Sequence, residues 1–281
     1  MHSAKKIISG SLSPFYSSRE IESITRLIFE KVLGLSRLQI HLHPQITITE
    51  ANLVQIKEIL NRLMQFEPIQ YILGATEFYG LIFKVTPAVL IPRPETEELV
   101  DWIISDYKNI SPTILDIGTG SGCIPISLMK NLPEATAEAW DISEDALSVA
   151  TENASNNQVK INFRQVDVLN PMLSSETKKF DIIISNPPYV TNSEQSAMLK
   201  NVTDHEPQIA LFVSDSDPLV FYRAIARIAL TKLKRGGNLY FEINEKFSSE
   251  TVHLLDIMGF KQIQIKKDIN SKERMIKTLL P

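Results

Sequence analysis

The stretch Ile114-Leu115-Asp116-Ile117-Gly118-Thr119-Gly120-Ser121-Gly122 runs from four mostly apolar residues straight into three glycines at alternate positions. A short apolar run closed by glycine predicts a buried strand, with a helix opening near Gly122. The same unit then recurs. Ala137 to Trp140 is a second strand, followed by a helix from about Glu144 to Asn156. Further strands are expected at 161–166, 180–185 and 238–243, with a helix at 218–233 leading to a Gly236-Gly237 turn. Strands alternating with helices of this length predict an α/β fold, a doubly wound, mostly parallel sheet of the Rossmann-like type. Residues 261–266 and 274–280 read as two strands without a helix between them, so an antiparallel hairpin should complete a seven-stranded sheet.

Upstream of residue 75 the period changes. Ser17-Ser18 precede Ile21, Ile24, Leu27, Ile28 and Val32, a 3.6-residue pattern that stops at Gly34. A second pattern after Thr49 carries Leu53, Ile56, Ile59, Leu60 and Leu63 and ends before Pro68, and a short helix from Ser36 to His43 is closed by Pro44. About three such helices make a small bundle over residues 1–74, with one buried face and no residue suggesting chemistry. Appended to an enzyme, that bundle is expected to recognise a partner. Residues 75–91 alternate Phe78, Leu81, Phe83 and Val85 around Gly80, a β-hairpin linker. Residues 92–281 then form the second domain. They open on Pro92-Arg93-Pro94, whose prolines stiffen an extended entry to a helix from Thr96 to about Tyr107.

Open α/β sheets bind ligands at the carboxyl ends of their strands. There the loop Gly118-Thr119-Gly120-Ser121-Gly122 lets backbone pass close under a bound molecule. A dinucleotide loop would place its third glycine at position 123, where Cys123 stands. The observed spacing fits a nucleoside cofactor without phosphates. Asp141, at the end of the second strand, can accept both hydrogen bonds from a ribose diol. After the third strand, Asp167 can accept from an adenine amino group and Val168 can touch the ring. Asp116 either fixes the glycine loop or receives the cofactor's ammonium. Any one of these aspartates alone would read as a cap or turn residue. Three at successive strand ends favour an adenosyl cofactor, S-adenosylmethionine, over a nicotinamide.

The fourth strand, Phe180 to Ser185, runs into Asn186-Pro187-Pro188-Tyr189. Prolines lack N–H groups, so this backbone offers carbonyl acceptors without competing donors, and Asn186 is held out of helical geometry by the proline after it. Methyl transfer to an amide or aromatic amine needs the N–H groups held and the delocalised lone pair aimed at the methyl. The Asn186 side-chain oxygen and the Pro187 carbonyl supply two acceptors for that, and Tyr189 can lie flat on the planar group. The plain structural reading, a proline-rich turn, would suit Pro-Pro alone. The whole tetrapeptide after a fitting cofactor loop is more specific.

Bulk properties bound the alternatives. The 281 residues are 43% hydrophobic and 22% charged, the balance of a soluble globular protein with room for two domains. A net charge of −4 disfavours binding nucleic acid by phosphate neutralisation. The basic residues after Gly259 (Lys261, Lys266, Lys267, Lys272, Arg274 and Lys277) read as a solvated face. A single cysteine, Cys123, excludes an internal disulfide, and the pair His41 and His43 lacks a third ligand, so no metal is expected. Neither a signal-peptide core nor an apolar run of about 20 residues is present, so a cytoplasmic protein without membrane contact is expected.

Taken together these residues resemble the protein-(glutamine-N5) methyltransferases of the HemK/PrmC family. The resemblance covers nearly the whole chain. It is carried by Pro68-Ile-Gln-Tyr-Ile-Leu-Gly74, Phe78-Tyr-Gly80, Leu90-Ile-Pro-Arg-Pro-Glu-Thr-Glu-Glu98, the glycine loop and the Asn186–Tyr189 tetrapeptide. The tetrapeptide is shared with DNA adenine methyltransferases, whereas the stretch around Arg93-Pro-Glu-Thr96 is similar to the glutamine enzymes specifically. The resemblance implies a class I methyltransferase fold and methylation of the glutamine in the Gly-Gly-Gln motif of class I peptide chain release factors. It implies cofactor contacts from Gly118 to Gly122, Asp141, Val168 and Asn186, with substrate glutamine at Asn186 to Tyr189. Three positions depart from the family pattern: Asn244 for a glycine, Phe247 for a glutamine, and Val168 where relatives are often aromatic.

Three rivals remain in view. A DNA adenine-N6 methyltransferase would need a target-recognition region that the chain is too short to add, and DNA is not an expected partner. A methyltransferase for a ribosomal-protein glutamine is closer. A non-catalytic adaptor of the same fold would be expected to have lost one of the two loops. A monomer is expected.

Overall fold

The computed structural model describes residues 1–42, 46–171 and 178–281. His43 and Pro44, expected to form half of a histidine pair and to close a helix, lie outside the described residues. The chain divides into two compact units, one of Met1–Gly74 with Leu199–His205, the other of Ala75–Met198 with Glu206–Pro281. The short return of Leu199–His205 to the first unit departs from a single uninterrupted second domain over 92–281.

The first unit is helical. Its elements are α1 (His2–Leu12), α2 (Ser18–Leu33), α3 (Arg37–Leu42), α4 (Glu50–Leu63) and α5 (Ile69–Leu73). Capping boxes start both long helices: Ser17 with Glu20 opens α2, and Thr49 with Asn52 opens α4. Each cap satisfies amide groups that would otherwise lack partners, a stabilisation of about 1 kcal/mol. The core gathers Ala4, Ile8 and Leu12 of α1 against Ile24 and Ile28 of α2 and Ile56, Leu60 and Leu63 of α4. Helix α1 was not expected. Its interior Ser9-Gly10-Ser11 is a poor helix former, and packing of the Ala4-Ile8-Leu12 stripe overrides that local weakness. Within this unit a further helix, α9 (Lys200–Thr203), precedes His205, whose Nε2 hydrogen-bonds the Gln65 carbonyl at 3.1 Å.

The second unit opens with a hairpin of β1 (Ala75–Phe78) and β2 (Leu81–Lys84). Its turn residues Tyr79 and Gly80 both have positive φ, 49° and 71°, the two-residue turn whose twist matches antiparallel strands. Helix α6 (Pro94–Asp106) follows, with proline at its first turn where no N–H is needed.

Five parallel strands form the sheet's centre: β3 (Thr113–Ile117), β4 (Thr136–Asp141), β5 (Ile161–Gln165), β6 (Phe180–Ser185) and β9 (Leu233–Glu242). With β10 (Lys261–Lys267) and β11 (Glu273–Leu279) the order is β10-β11-β9-β6-β3-β4-β5, and β11 is antiparallel to both its neighbours. The short β7 (Val190–Thr191) and β8 (Phe212–Val213) pair with each other apart from this sheet. Alternate residues face two cores. Ile114, Ile182, Ile184 and Tyr240 meet α6 and α7 (Cys123–Asn131) on one side. Leu115, Ile117, Ile183, Leu239 and Phe241 meet α10 (Val220–Lys232) and α11 (Ser248–Ile257) on the other. Helix α8 (Glu144–Asn156) lies between β4 and β5 in the chain and begins on the Ser143 cap.

Two elements differ from expectation. Strand β9 starts at Leu233, so Gly236-Gly237 lies inside the strand at a register shift and not in a turn. A Cβ on Gly237 would sit 2.9 Å from the Lys234 carbonyl and 3.0 Å from the Asp181 carbonyl, so only glycine passes there. Helix α11 was missed because its buried positions mix Ser248 and Thr251 with Leu254 and Leu255, which blurs the apolar stripe.

Candidate active site

Strand register sets the site. Ile117 pairs with Trp140 on one side and with Ser185 on the other. Gly118, Asp141 and Asn186 therefore lie next to one another as β3, β4 and β6 end. The chain turns from β3 outward to β4 and β5, then returns to β6 on the opposite flank of β3. That reversal is the switch point at which open α/β sheets open a crevice. The buried Ser185 hydroxyl donates to the Ile117 carbonyl at 2.7 Å and ties the two strand ends together.

A cavity of about 300 Å³ opens there. Of the expected residues, Gly118, Thr119, Gly120, Ser121, Asp141, Asp167, Val168, Asn186, Pro187 and Pro188 line it. Gly122 and Tyr189 do not. Gly122 has φ +79°, and a Cβ on it would meet Ile126 Cδ1 at 3.0 Å and Ala150 Cβ at 3.2 Å, so its role is to let α7 and α8 pack. Gly118 and Gly120 also have positive φ, 74° and 54°; a Cβ on Gly118 would meet only the Asn186 carbonyl oxygen, at 4.0 Å, and one on Gly120 would face open space.

Asp141 Oδ2 accepts from the Gly120 amide at 2.8 Å and Oδ1 from the Ser143 amide at 3.0 Å, with burial raising its pKa. Each oxygen keeps a second lone pair for a ligand hydroxyl. Asp167 is bound by the Leu169 amide and the Asn170 side chain, and that hydrogen bonding holds its carboxyl below the usual range. Asp116 differs from both. Its two carboxylate oxygens are buried with no hydrogen-bond partner among the described residues, and the Thr119 hydroxyl stands near without closing a bond. Burial pushes its pKa up to about 7. Asp116 does not line the cavity; its unpaired carboxyl lies buried beneath the glycine loop, where a cationic group brought against it would offset the cost of its charge.

The wall opposite is the Asn186–Tyr189 loop. Asn186 Nδ2 donates to Thr96 Oγ1 at 3.3 Å, and no described group donates to its Oδ1. No described amide reaches the Pro187 carbonyl either. Tyr189 is not among the residues that line the cavity, and its hydroxyl donates to Glu242 Oε1 at 3.0 Å, a bond that fixes the edge of the ring and not its faces. Asn244, at a departure from the family pattern, donates from Nδ2 to the Tyr189 carbonyl at 3.1 Å and to Glu194 at 3.0 Å. It thereby braces the end of the loop.

Two site residues escaped sequence reading. Thr96 lines the cavity beside Asn186 and donates to buried Glu242 at 2.6 Å. Glu206, also buried, accepts from Arg93 Nη2 at 2.6 Å and from the Ile91 amide at 3.1 Å, pinning the Ala88–Arg93 wall. Thr96 had a signal, its place in the Arg93–Thr96 stretch, but its partners come from β9 and β6. Glu206 had none.

A methyltransferase small domain model matches residues 97–206, and a PrmC N-terminal domain model matches residues 14–74. A release factor glutamine methyltransferase of Flavobacterium psychrophilum is 47% identical, the alignment covering 95% of this chain and 94% of that protein. The chain belongs to the release factor glutamine methyltransferase family. Its counterpart in Bacteroides thetaiotaomicron is 44% identical over 96% of each chain. The fold is shared with a methyltransferase from Pyrococcus furiosus at TM-score 0.54 and 15% identity, covering 79% of this chain and 98% of that one. The family resemblance carried by the motifs thus holds across both the helical segment and the sheet. Among the described residues no helix is long and apolar enough to cross a membrane.

Proposed function

We propose that the chain transfers the methyl group of S-adenosylmethionine to the side-chain amide nitrogen (N5) of the glutamine in the Gly-Gly-Gln motif of class I release factors. One observation carries the chemistry. Asn186 presents an undonated side-chain oxygen to the cavity beside the free Pro187 carbonyl, two acceptors suited to the two N–H groups of a primary amide. When bound, the cofactor would supply an electrophilic methyl on its sulfonium.

The chain's own residues do the rest. Asp141 offers its remaining lone pairs to a ribose diol, Asp167 and Val168 border the base, and Asp116 either fixes the glycine loop from beneath or receives the ammonium. Asn186 and Pro187 hold the glutamine N–H groups and stabilise the positive charge that grows on nitrogen; removal of a comparable preorganised partner costs about 10²–10³-fold elsewhere. The proton that leaves the methylated nitrogen needs no base of shifted pKa, because the cationic amide is strongly acidic.

Residues 1–74 serve as the substrate-recognition domain, residues 75–91 as the linker and residues 92–281 as the methyltransferase domain. The protein acts as a monomer in the cytoplasm, with a release factor and not DNA as partner. Incubating the full chain with labelled S-adenosylmethionine and, separately, a class I release factor, ribosomal proteins and duplex DNA tests this. Label is expected on the release factor alone. Label on ribosomal protein or DNA in preference would overturn it.

A further inference from the structure

We propose that Thr96 is a positioning residue which, oriented by Glu242, holds the Asn186 amide with its oxygen facing the substrate. The inference deepens the proposed amide transfer and rests on it. An asparagine amide is nearly symmetric in shape, so space alone does not decide which end faces the cavity; its hydrogen-bond partner does. That partner is the Thr96 hydroxyl, 3.3 Å from Asn186 Nδ2.

A hydroxyl has one proton, and here it is committed. Thr96 Oγ1 donates to Glu242 Oε2 at 2.6 Å, and the other carboxylate oxygen accepts from Tyr189 at 3.0 Å. Glu242 is buried on β9, and that burial raises its pKa; the hydroxyls of Thr96 and Tyr189, each aimed at one of its oxygens, and the charge of Arg274 oppose the shift and favour its ionised, accepting form. With its proton given to Glu242, Thr96 has only lone pairs to offer Asn186. It therefore selects the NH₂ end, and Oδ1 points the other way. A flipped amide would set the Asn186 oxygen against the Thr96 oxygen with no proton between them, leaving a partly buried acceptor unpaired.

The chain spacing supports a role beyond packing. Thr96 comes from the first turn of α6, Glu242 from the end of β9 and Asn186 from the end of β6, so three separate elements converge on one bond chain. Thr96 is 2% exposed and lines the cavity, yet it is not needed there as a contact to the cofactor's ribose or base, which the β4 and β5 ends provide.

The test compares Thr96→Val with Thr96→Ser in the full chain. Valine keeps the shape and removes the oxygen; serine keeps the oxygen. Thr96→Val should lower kcat about tenfold to hundredfold, the range associated with misplacing a reacting group. Its affinity for S-adenosylmethionine, measured by calorimetry, should stay within about threefold, with folding confirmed by the unfolding midpoint. In cofactor-bound protein the Asn186 side-chain amide protons should exchange faster in the valine variant, and serine should restore both readouts. A valine variant with more than half the wild-type kcat, or a serine variant as impaired as valine, would overturn the proposal. If the wild-type chain labels some substrate other than glutamine, the proposed function fails, while the Asn186 exchange signal still reports on the Thr96 contact.

Discussion

Two loops leave adjacent strands of one sheet and build the same cavity by different means. The loop after β3 takes its form from its own residues: three glycines in left-handed geometry, two close contacts to the Trp140 carbonyl, and a carboxylate from the next strand. The loop after β6 holds its backbone by prolines but its side chains by distant partners. Asn186 depends on Thr96, 90 positions away, and Tyr189 on Glu242, 53 positions away. The first loop is a shape made locally. The second is an orientation made by the tertiary fold, and the chemistry is placed on it.

The sharpest way to break this contrast is Asn186→Ala. We expect methyl transfer to fall about a thousandfold while cofactor affinity stays within about tenfold, because only the second loop is touched. Steady-state kinetics beside calorimetry separate the two, and equal loss of both would erase the distinction.

The next effect falls within the glycine loop itself. Gly122→Ala should destabilise the fold by about 2–3 kcal/mol, from left-handed strain plus the clash with Ile126 and Ala150. Gly118→Ala, which has no neighbour nearer than 4.0 Å, should cost about 1 kcal/mol and act on cofactor binding instead. Denaturant midpoints of the two variants decide whether the glycines divide into one for packing and one for the ligand.

The smallest effect is a pH dependence of the first loop. Folded Asp116 keeps its proton up to about pH 7, whereas the unfolded chain releases it near 4, so this group costs stability as pH rises through that window. Binding a cation there needs the carboxylate. Cofactor affinity should therefore rise about tenfold from pH 5.5 to 7 and become flat in Asp116→Asn. A flat wild-type profile would remove Asp116 from the ligand's ammonium.

The same contrast explains what the sequence showed and what it hid. The glycine loop, Asp141 and the tetrapeptide were legible because strand, turn and acceptor chemistry are local. Helix α1 was hidden because packing overrode Ser9-Gly10-Ser11, and the strand position of Gly236-Gly237 because a bulge with no room for a Cβ mimics a turn. The bond from the Tyr189 hydroxyl to Glu242 was hidden as well, a contact no local pattern announces. Gly122 was assigned to the cofactor on spacing and on family resemblance, neither of which reveals that the space beside its Cα is filled by Ile126 and Ala150. The motif stretch Arg93–Thr96 pointed to the family without revealing that Arg93 pins a wall and Thr96 holds an amide.

The central claim is that Asn186 and Pro187 select a primary amide nitrogen, and fragmentation mass spectrometry of a methylated release factor tests it at the level of the atom. The added mass should reside on the glutamine of the Gly-Gly-Gln motif, on its side-chain nitrogen. A methyl on a backbone nitrogen, on a different side chain, or on no residue of the release factor would contradict it.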